Sequence, residues 1–206
     1  MYYPVKTPWW LKRLYPGCTW EMPADENAVY LSFDDGPDPV VTTFVLDTLA
    51  AYQAKATFFC IGKNVSANPE VYKRIIAEGH TVGNHTQHHL SGWKVSDEIY
   101  FNDVLEASKL IKSDLFRPPY GRATHFQLKC LKESALQMKV IMWTVLSGDF
   151  DSKLTPVQCL GNVISHLRPG SIITFHDSLK AEPRLRYALP EVLKKIKTMG
   201  MEAKAL

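Results

Sequence analysis

Short runs of β-branched and aromatic residues recur along the chain, each followed by a longer amphipathic segment, and this alternation restricts the fold more than any other feature. Runs at residues 28–33, 56–60, 81–84, 115–117, 140–144 and 171–175 read as strands, with a weaker seventh over 202–205. The segments 40–51, 70–78, 97–112, 126–135, 157–166 and 189–199 carry the apolar spacing of helices. Strand–helix alternation selects an α/β fold with a parallel sheet. About seven such units in 206 residues fill one domain, and they predict a (β/α) barrel, distorted or incomplete. Residues 28–206 are expected to form that domain, with residues 1–27 packed on it as an extension.

Several element ends have local reasons. Pro39 and Pro156 suit first helical turns, Asp97 suits a helix N-cap, and Gly79 and Gly200 suit left-handed helix ends. Apolar residues at 46% and charged residues at 22% exclude a disordered chain. Four cysteines without a C-x-x-C pair suggest neither a zinc ribbon nor a redox dithiol. A net charge of +3 gives no reason to expect a nucleic-acid partner, and a monomer is expected. No apolar run approaches the ~20 residues of a membrane span. The first 17 residues lack an apolar signal core, so the expectation is a cytoplasmic protein.

A barrel of this type places its chemistry at the carboxyl ends of its strands, and the polar residues collect there. The first strand runs into Asp34-Asp35-Gly36-Pro37. Successive side chains alternate, so one carboxylate can hold a metal while its neighbour faces a bound water. The third strand runs into Asn84-His85-Thr86-Gln87-His88-His89, where a helical turn would bring His85 and His89 to one side. His80 and His88 read as surface or supporting residues. With an aspartate from another strand end, the histidine pair makes an Asp-His-His set that leaves coordination open for water and substrate. Such N/O donors suit zinc, and equally cobalt, nickel, manganese or iron. Three further endings follow: Arg117-Pro118-Pro119-Tyr120-Gly121, then Ser147-Gly148-Asp149-Phe150, then His176-Asp177.

These five segments, in this order, resemble the motifs of the polysaccharide deacetylase family with the NodB homology fold. Ser32–Pro37 is similar to its T-F-D-D-G-P motif, His85–His89 to H-[ST]-x-x-H, and Arg117–Gly121 to R-P-P-Y-G. The resemblance implies a distorted (β/α) barrel that removes acetyl groups, usually from N-acetylated amino sugars, with one divalent metal ion: zinc first, or cobalt, nickel or manganese. It implies Asp35, His85 and His89 as metal ligands, Asp34 as general base and His176 as general acid. It implies that Arg117 orients Asp34, that Asp149 partners His176, and that the Tyr120 backbone N–H is an oxyanion donor. Pro119, Tyr120, Phe150 and Thr174 would then touch the substrate. The implied partner is an acylated amino sugar, a glycan or a lipid-linked sugar.

Two positions depart from the family pattern. Phe150 stands where the family often has Trp, and Thr174 where it often has Leu. Both positions wall the acyl pocket in the family, so a roomier and more polar pocket is expected. Residues 1–20 carry Tyr2, Tyr3, Trp9, Trp10, Tyr15 and Trp20 with Lys6, Lys12 and Arg13 and no acid. This segment is expected to lie over the barrel's bottom or side, or to make peripheral contact with a membrane or glycolipid. Two other functions fit the same residues: hydrolysis of a small non-sugar amide, and a catalytically silent barrel that binds glycan.

Overall fold

The computed structural model describes residues 3–206; Tyr2 lies outside the described residues. The elements run α1 (Trp9–Leu14), β1 (Ala28–Asp34), α2 (Val41–Ala51), β2 (Thr57–Cys60), α3 (Gly62–Ala67), α4 (Pro69–Ala77), β3 (Thr81–Asn84), α5 (Asp97–Leu110) and β4 (Leu115–Phe116). After a 3₁₀ turn at Pro119–Gly121 follow α6 (His125–Glu133), β5 (Lys139–Val140), β6 (Val145–Leu146), α7 (Pro156–Ile164), β7 (Ile172–His176), α8 (Glu182–Thr198) and β8 (Glu202–Lys204).

The strands pair in parallel in the order β5-β4-β3-β2-β1-β7-β6, curling into an open barrel. The last strand, β8, pairs with the first half of β1, leaving the second half to β2. All seven residues of β1 are buried, which is the condition of a strand covered on both faces. Alternation divides them. Leu31 and Phe33 join the main apolar core with Val45, Leu49, Leu189 and Val192 of the surrounding helices. On the opposite face, Ala28 and Tyr30 pack with Phe59, Ile141 and Ile172 inside the barrel. Further along that inner face come Ser32 and then Asp34, so the interior turns polar towards the carboxyl ends.

The run at 140–144 is not one strand. β5 pairs with β4 and β6 with β7, at opposite ends of the sheet, so the chain between them must cross the open gap. Backbone hydrogen bonds missing there come from the N-terminal segment. Met142 N–H donates to Thr19 O, Thr7 N–H to Thr144 O, and Leu146 N–H to Val5 O. Isolated bridges pair Lys6 with Val145 and Thr19 with Ile141. Residues 3–23 therefore close the side of the barrel.

Smaller differences are local. Ser96, not Asp97, caps α5 by accepting from Ile99 N–H, while Asp97 accepts from Gln127 Nε2. Pro39 precedes α2, which starts at Val41, whereas Pro156 is the first residue of α7. Gly79 and Gly200 are left-handed, with φ of 75° and 70°. Among the described residues, no helix is long and apolar enough to cross a membrane.

Candidate active site

At the carboxyl ends of the strands, register brings the polar endings together. Asp34 of β1 lies beside His176 of β7, and Asn84 of β3 beside Phe116 of β4. The next residues on those two strands, His85 and Arg117, therefore meet, with His85 Nδ1 2.7 Å from Arg117 O.

Arg117 is fully buried. Its Nη1 donates to Asp34 Oδ1 at 2.7 Å, Ser32 Oγ at 2.8 Å and Thr174 Oγ1 at 3.0 Å. Its Nε and Nη2 donate to the carbonyls of Ile141 and Met142, and its guanidinium lies 4.1 Å from the Phe59 ring centroid. This ion pair is buried, so full hydrogen bonding is what makes it tolerable. Burial lowers the Arg117 pKa, and the Asp34 charge works against that.

Asp35 faces away from its neighbour. Its Oδ1 lies 3.2 Å from His89 Nε2 and 3.8 Å from His85 Nε2, and it accepts no hydrogen bond. The expected helical turn through His85–His89 is absent. Thr86 and His89 have positive φ of 64° and 59°, and the loop's N–H groups find side chains instead of helical carbonyls. Asn84 Oδ1 accepts from Thr86 N–H, and Asp103 Oδ2 accepts from Gln87 and His88 N–H. The result still gathers donor atoms of Asp35, His85 and His89 within 4.8 Å of one another. His85 Nδ1 is engaged by Arg117 O and His89 Nδ1 by Tyr120 Oη at 3.1 Å, which leaves both Nε2 atoms facing Asp35. Burial pushes His85 down to about 4, so it is neutral and its lone pair is free. Burial works to raise Asp35, but the His89 contact and the neighbouring imidazoles, His176 among them, hold it below the usual carboxylate range. An orphaned carboxylate oxygen facing the Nε2 atoms of two imidazoles fits a divalent cation.

Across the cleft, Asp149 holds His176 twice, with Oδ1 2.8 Å from Nδ1 and Oδ2 accepting the backbone N–H at 2.7 Å. Burial alone would lower the His176 pKa; the Asp149 carboxylate outweighs it and lifts His176 to about 9. Tyr120 occupies the left-handed region, with φ of 60° in a loop stiffened by Pro118 and Pro119. Its N–H donates to no group among the described residues.

One cavity of about 530 Å³ contains Asp34, Asp35, His85, His89, Tyr120, Phe150 and His176 in its lining, with Arg117 and Asp149 buried behind. Two expected wall residues are not there. Thr174 is wholly buried, because strand alternation points it inward beside Ser32, where its hydroxyl serves Arg117. Pro119 is buried, and Pro118 takes its place in the lining. On the Phe150 side, Tyr3 packs against that ring at 4.9 Å and bonds Asp151 Oδ2 at 3.0 Å.

Two supporting residues, Asp103 and Arg184, were not anticipated, and Asp177 was named only as part of a strand ending. Asp103, which also holds His88 Nδ1 at 2.6 Å, sits on the buried stripe of α5 with Tyr100, Val104 and Ala107, and an acid on that stripe was the available signal. Asp177 accepts from Gly36 N–H and Thr42 Oγ1, and burial pushes its carboxyl up to about 7. Arg184 Nε donates to Asp149 O at 2.5 Å. His80 is buried away from the cleft, its Nδ1 accepting from Ala56 N–H.

The polysaccharide deacetylase family model matches residues 21–139. A peptidoglycan-N-acetylglucosamine deacetylase of Bacillus cereus is 37% identical over 188 residues, covering 88% of this chain and 87% of the relative. A chitooligosaccharide deacetylase of a Bradyrhizobium species is 36% identical over 158 residues, covering 73% and 71%. The crystal structure of the Bc1960 peptidoglycan N-acetylglucosamine deacetylase with 4-naphthalen-1-yl-N-oxidanyl-benzamide superposes with a TM-score of 0.87 at 31% identity, covering 97% of this chain and 95% of that one. By motif order, by fold and by these matches, the chain belongs to the polysaccharide deacetylase family and is a hydrolase of amide bonds.

Proposed function

We propose that the protein removes the acyl group from N-acylated amino sugars of a glycan, with a divalent metal, zinc first, held by Asp35, His85 and His89. The observation that carries this reading is the division of labour between adjacent carboxylates. Asp34 is fixed by Arg117, while Asp35 faces two imidazoles with an oxygen unused. When bound, the metal supplies Lewis-acid polarisation of the carbonyl and acidifies water. Asp34 takes the proton of the attacking water, its orientation set by Arg117 Nη1. The free Tyr120 N–H donates to the oxyanion that develops on the carbonyl oxygen. His176, protonated at neutral pH through Asp149, delivers a proton to the departing amine.

The substrate class follows the relatives, which are named for N-acetylglucosamine in peptidoglycan and for chitooligosaccharide. Trp93 and Tyr120, 58% and 57% exposed at the cleft, support a glycan lying across it. The test is a metal-reconstituted screen over acylated amino sugars, with free amine as the readout. Asp34→Asn is expected to keep its metal and lose turnover by about 10²–10⁴-fold. Metal loss with turnover retained would reverse the roles of Asp34 and Asp35.

On the outer side of α1, Trp9 and Trp10 are 69% and 51% exposed beside Arg13, which supports peripheral contact with a lipid surface. Flotation with anionic vesicles tests this, and failure of the full chain to float removes it.

A further inference from the structure

From the architecture beside Tyr120 we infer that the site accepts an acyl chain of about four to eight carbons, in an apolar chamber built partly by the N-terminal segment; this rests on the amide-hydrolase reading above.

The cavity that holds the Asp-His-His set does not end at an acetyl-sized pocket. It continues past Tyr120 and Gly121 to Met142, Trp143, Leu128, Leu11, Tyr15 and Cys18. The wall is contiguous. Tyr120 touches His89, and the next residue, Gly121, lies against Trp143 and Met142 so closely that a Cβ there would come within 2.7 Å and 3.2 Å of them. Gly121 also has a φ of 64°, so a side chain is excluded on two grounds at the point where the chamber begins. The far wall is held by backbone and side-chain bonds between the N-terminal segment and 142–144: Thr7 Oγ1 donates to Trp143 O at 2.6 Å, and Met142 N–H to Thr19 O at 2.8 Å. The cavity as a whole, cleft and chamber together, is about 530 Å³, while an acetyl methyl needs roughly the ~30 Å³ of one water.

The reaction geometry decides which part of a substrate enters. Water's oxygen bonds to the acyl carbon, the C–N bond breaks, and the amine leaves with a proton from His176, so the sugar lies on the His176 side. The carbonyl oxygen faces the Tyr120 N–H and the Asp-His-His set. The remaining substituent of the carbonyl carbon is the acyl chain, and the direction left for it runs beside Tyr120 and Gly121 into the apolar wall. It departs as a carboxylate.

The test measures binding of N-acetyl-, N-butyryl-, N-hexanoyl- and N-octanoyl-glucosamine to the full-length, zinc-loaded Asp34→Asn protein, and turnover of the same series by the zinc-loaded wild type. The expected result is a Kd that tightens about three- to fourfold per added methylene through hexanoyl. Leu11→Trp, and independently Cys18→Phe, are expected to flatten that series, each scaled to its own acetyl value. A flat or weakening series in the parent protein overturns the inference, even if N-acetylglucosamine is deacetylated. Tightening with alkyl glycosides of N-acetylglucosamine, but not with acyl length, also overturns it and assigns the chamber to the aglycone. A tightening acyl series without amine release would sustain the chamber and sink the hydrolytic reading instead.

Discussion

The strand-end cluster and the N-terminal seam are built by opposite means. In the cluster, Asp34, His85, Arg117 and His176 each lie at or just after the end of a parallel strand, so register pairs them two by two and the curl of the sheet brings the pairs together. In the seam, residues 3–23 meet 141–146 through isolated bridges and scattered hydrogen bonds, with no continuous ladder. One region is placed by the regular sheet and the other by individual long-range contacts. Arg117 belongs to both. Its Nη1 holds Asp34 in the cluster, while Nε and Nη2 hold the Ile141 and Met142 carbonyls in the crossing segment. The difference teaches that reaction chemistry and barrel closure share a cavity wall, while the hydrogen bonds that join the two run through this one guanidinium.

Breaking that link has the largest expected effect. Arg117→Met leaves the Asp34 carboxylate buried without a counter-charge, at a cost of about 3–5 kcal/mol in a denaturant melt. Arg117→Lys restores a charge to Asp34 but cannot also reach both carbonyls, because an ammonium lacks the planar fork. The lysine variant is therefore expected to hold metal and recover part of the turnover while remaining destabilised. Stability equal to wild type in Arg117→Lys would show that the seam does not depend on the guanidinium.

A second, smaller break lies wholly within the cluster. His176 is lifted to about 9 by Asp149 against the opposing effect of burial, so the protonated acid persists through neutral pH and activity is expected to fall as pH rises through about 9. Asp149→Asn removes the charge that raises the pKa, and the alkaline limb should move down by about 1–3 units. Rate against pH for one N-acylated sugar measures it. An unmoved limb would mean that another group titrates there.

The sequence carried the cluster because each polar run directly follows an apolar one, and a strand end needs no distant information to be recognised. It failed where a distant partner decides the local shape. His85 and His89 share a side not through a helical turn but because Asn84 and Asp103 capture the loop's N–H groups, and Asp103 comes from α5. Thr174 left the expected pocket wall because Arg117, 57 positions away, takes its hydroxyl. Tyr3 lies 148 positions from the Asp151 it bonds. The run at 140–144 looked like one strand because both of its ends do pair in the sheet. Only the gap between β5 and β6 reveals that its middle must cross, and the segment that satisfies it carries no strand periodicity of its own.

The seam offers the smallest and cleanest test of separability. Thr7 is buried and makes two bonds to the crossing segment: its N–H to Thr144 O, which a substitution keeps, and its hydroxyl to Trp143 O. Valine preserves the shape and removes only the hydroxyl, so Thr7→Val deletes one hydrogen bond and takes that donor from Trp143 O. The expected loss is about 1–2 kcal/mol, seen in urea as a lower midpoint with an unchanged slope. Metal content and the alkaline limb should match wild type, because neither Asp35, His85 and His89 nor the His176–Asp149 pair is anchored through Thr7. A shifted alkaline limb or a lost metal in Thr7→Val would mean that the seam sets the cluster's geometry along its whole length, and not only through the hydrogen bonds of Arg117.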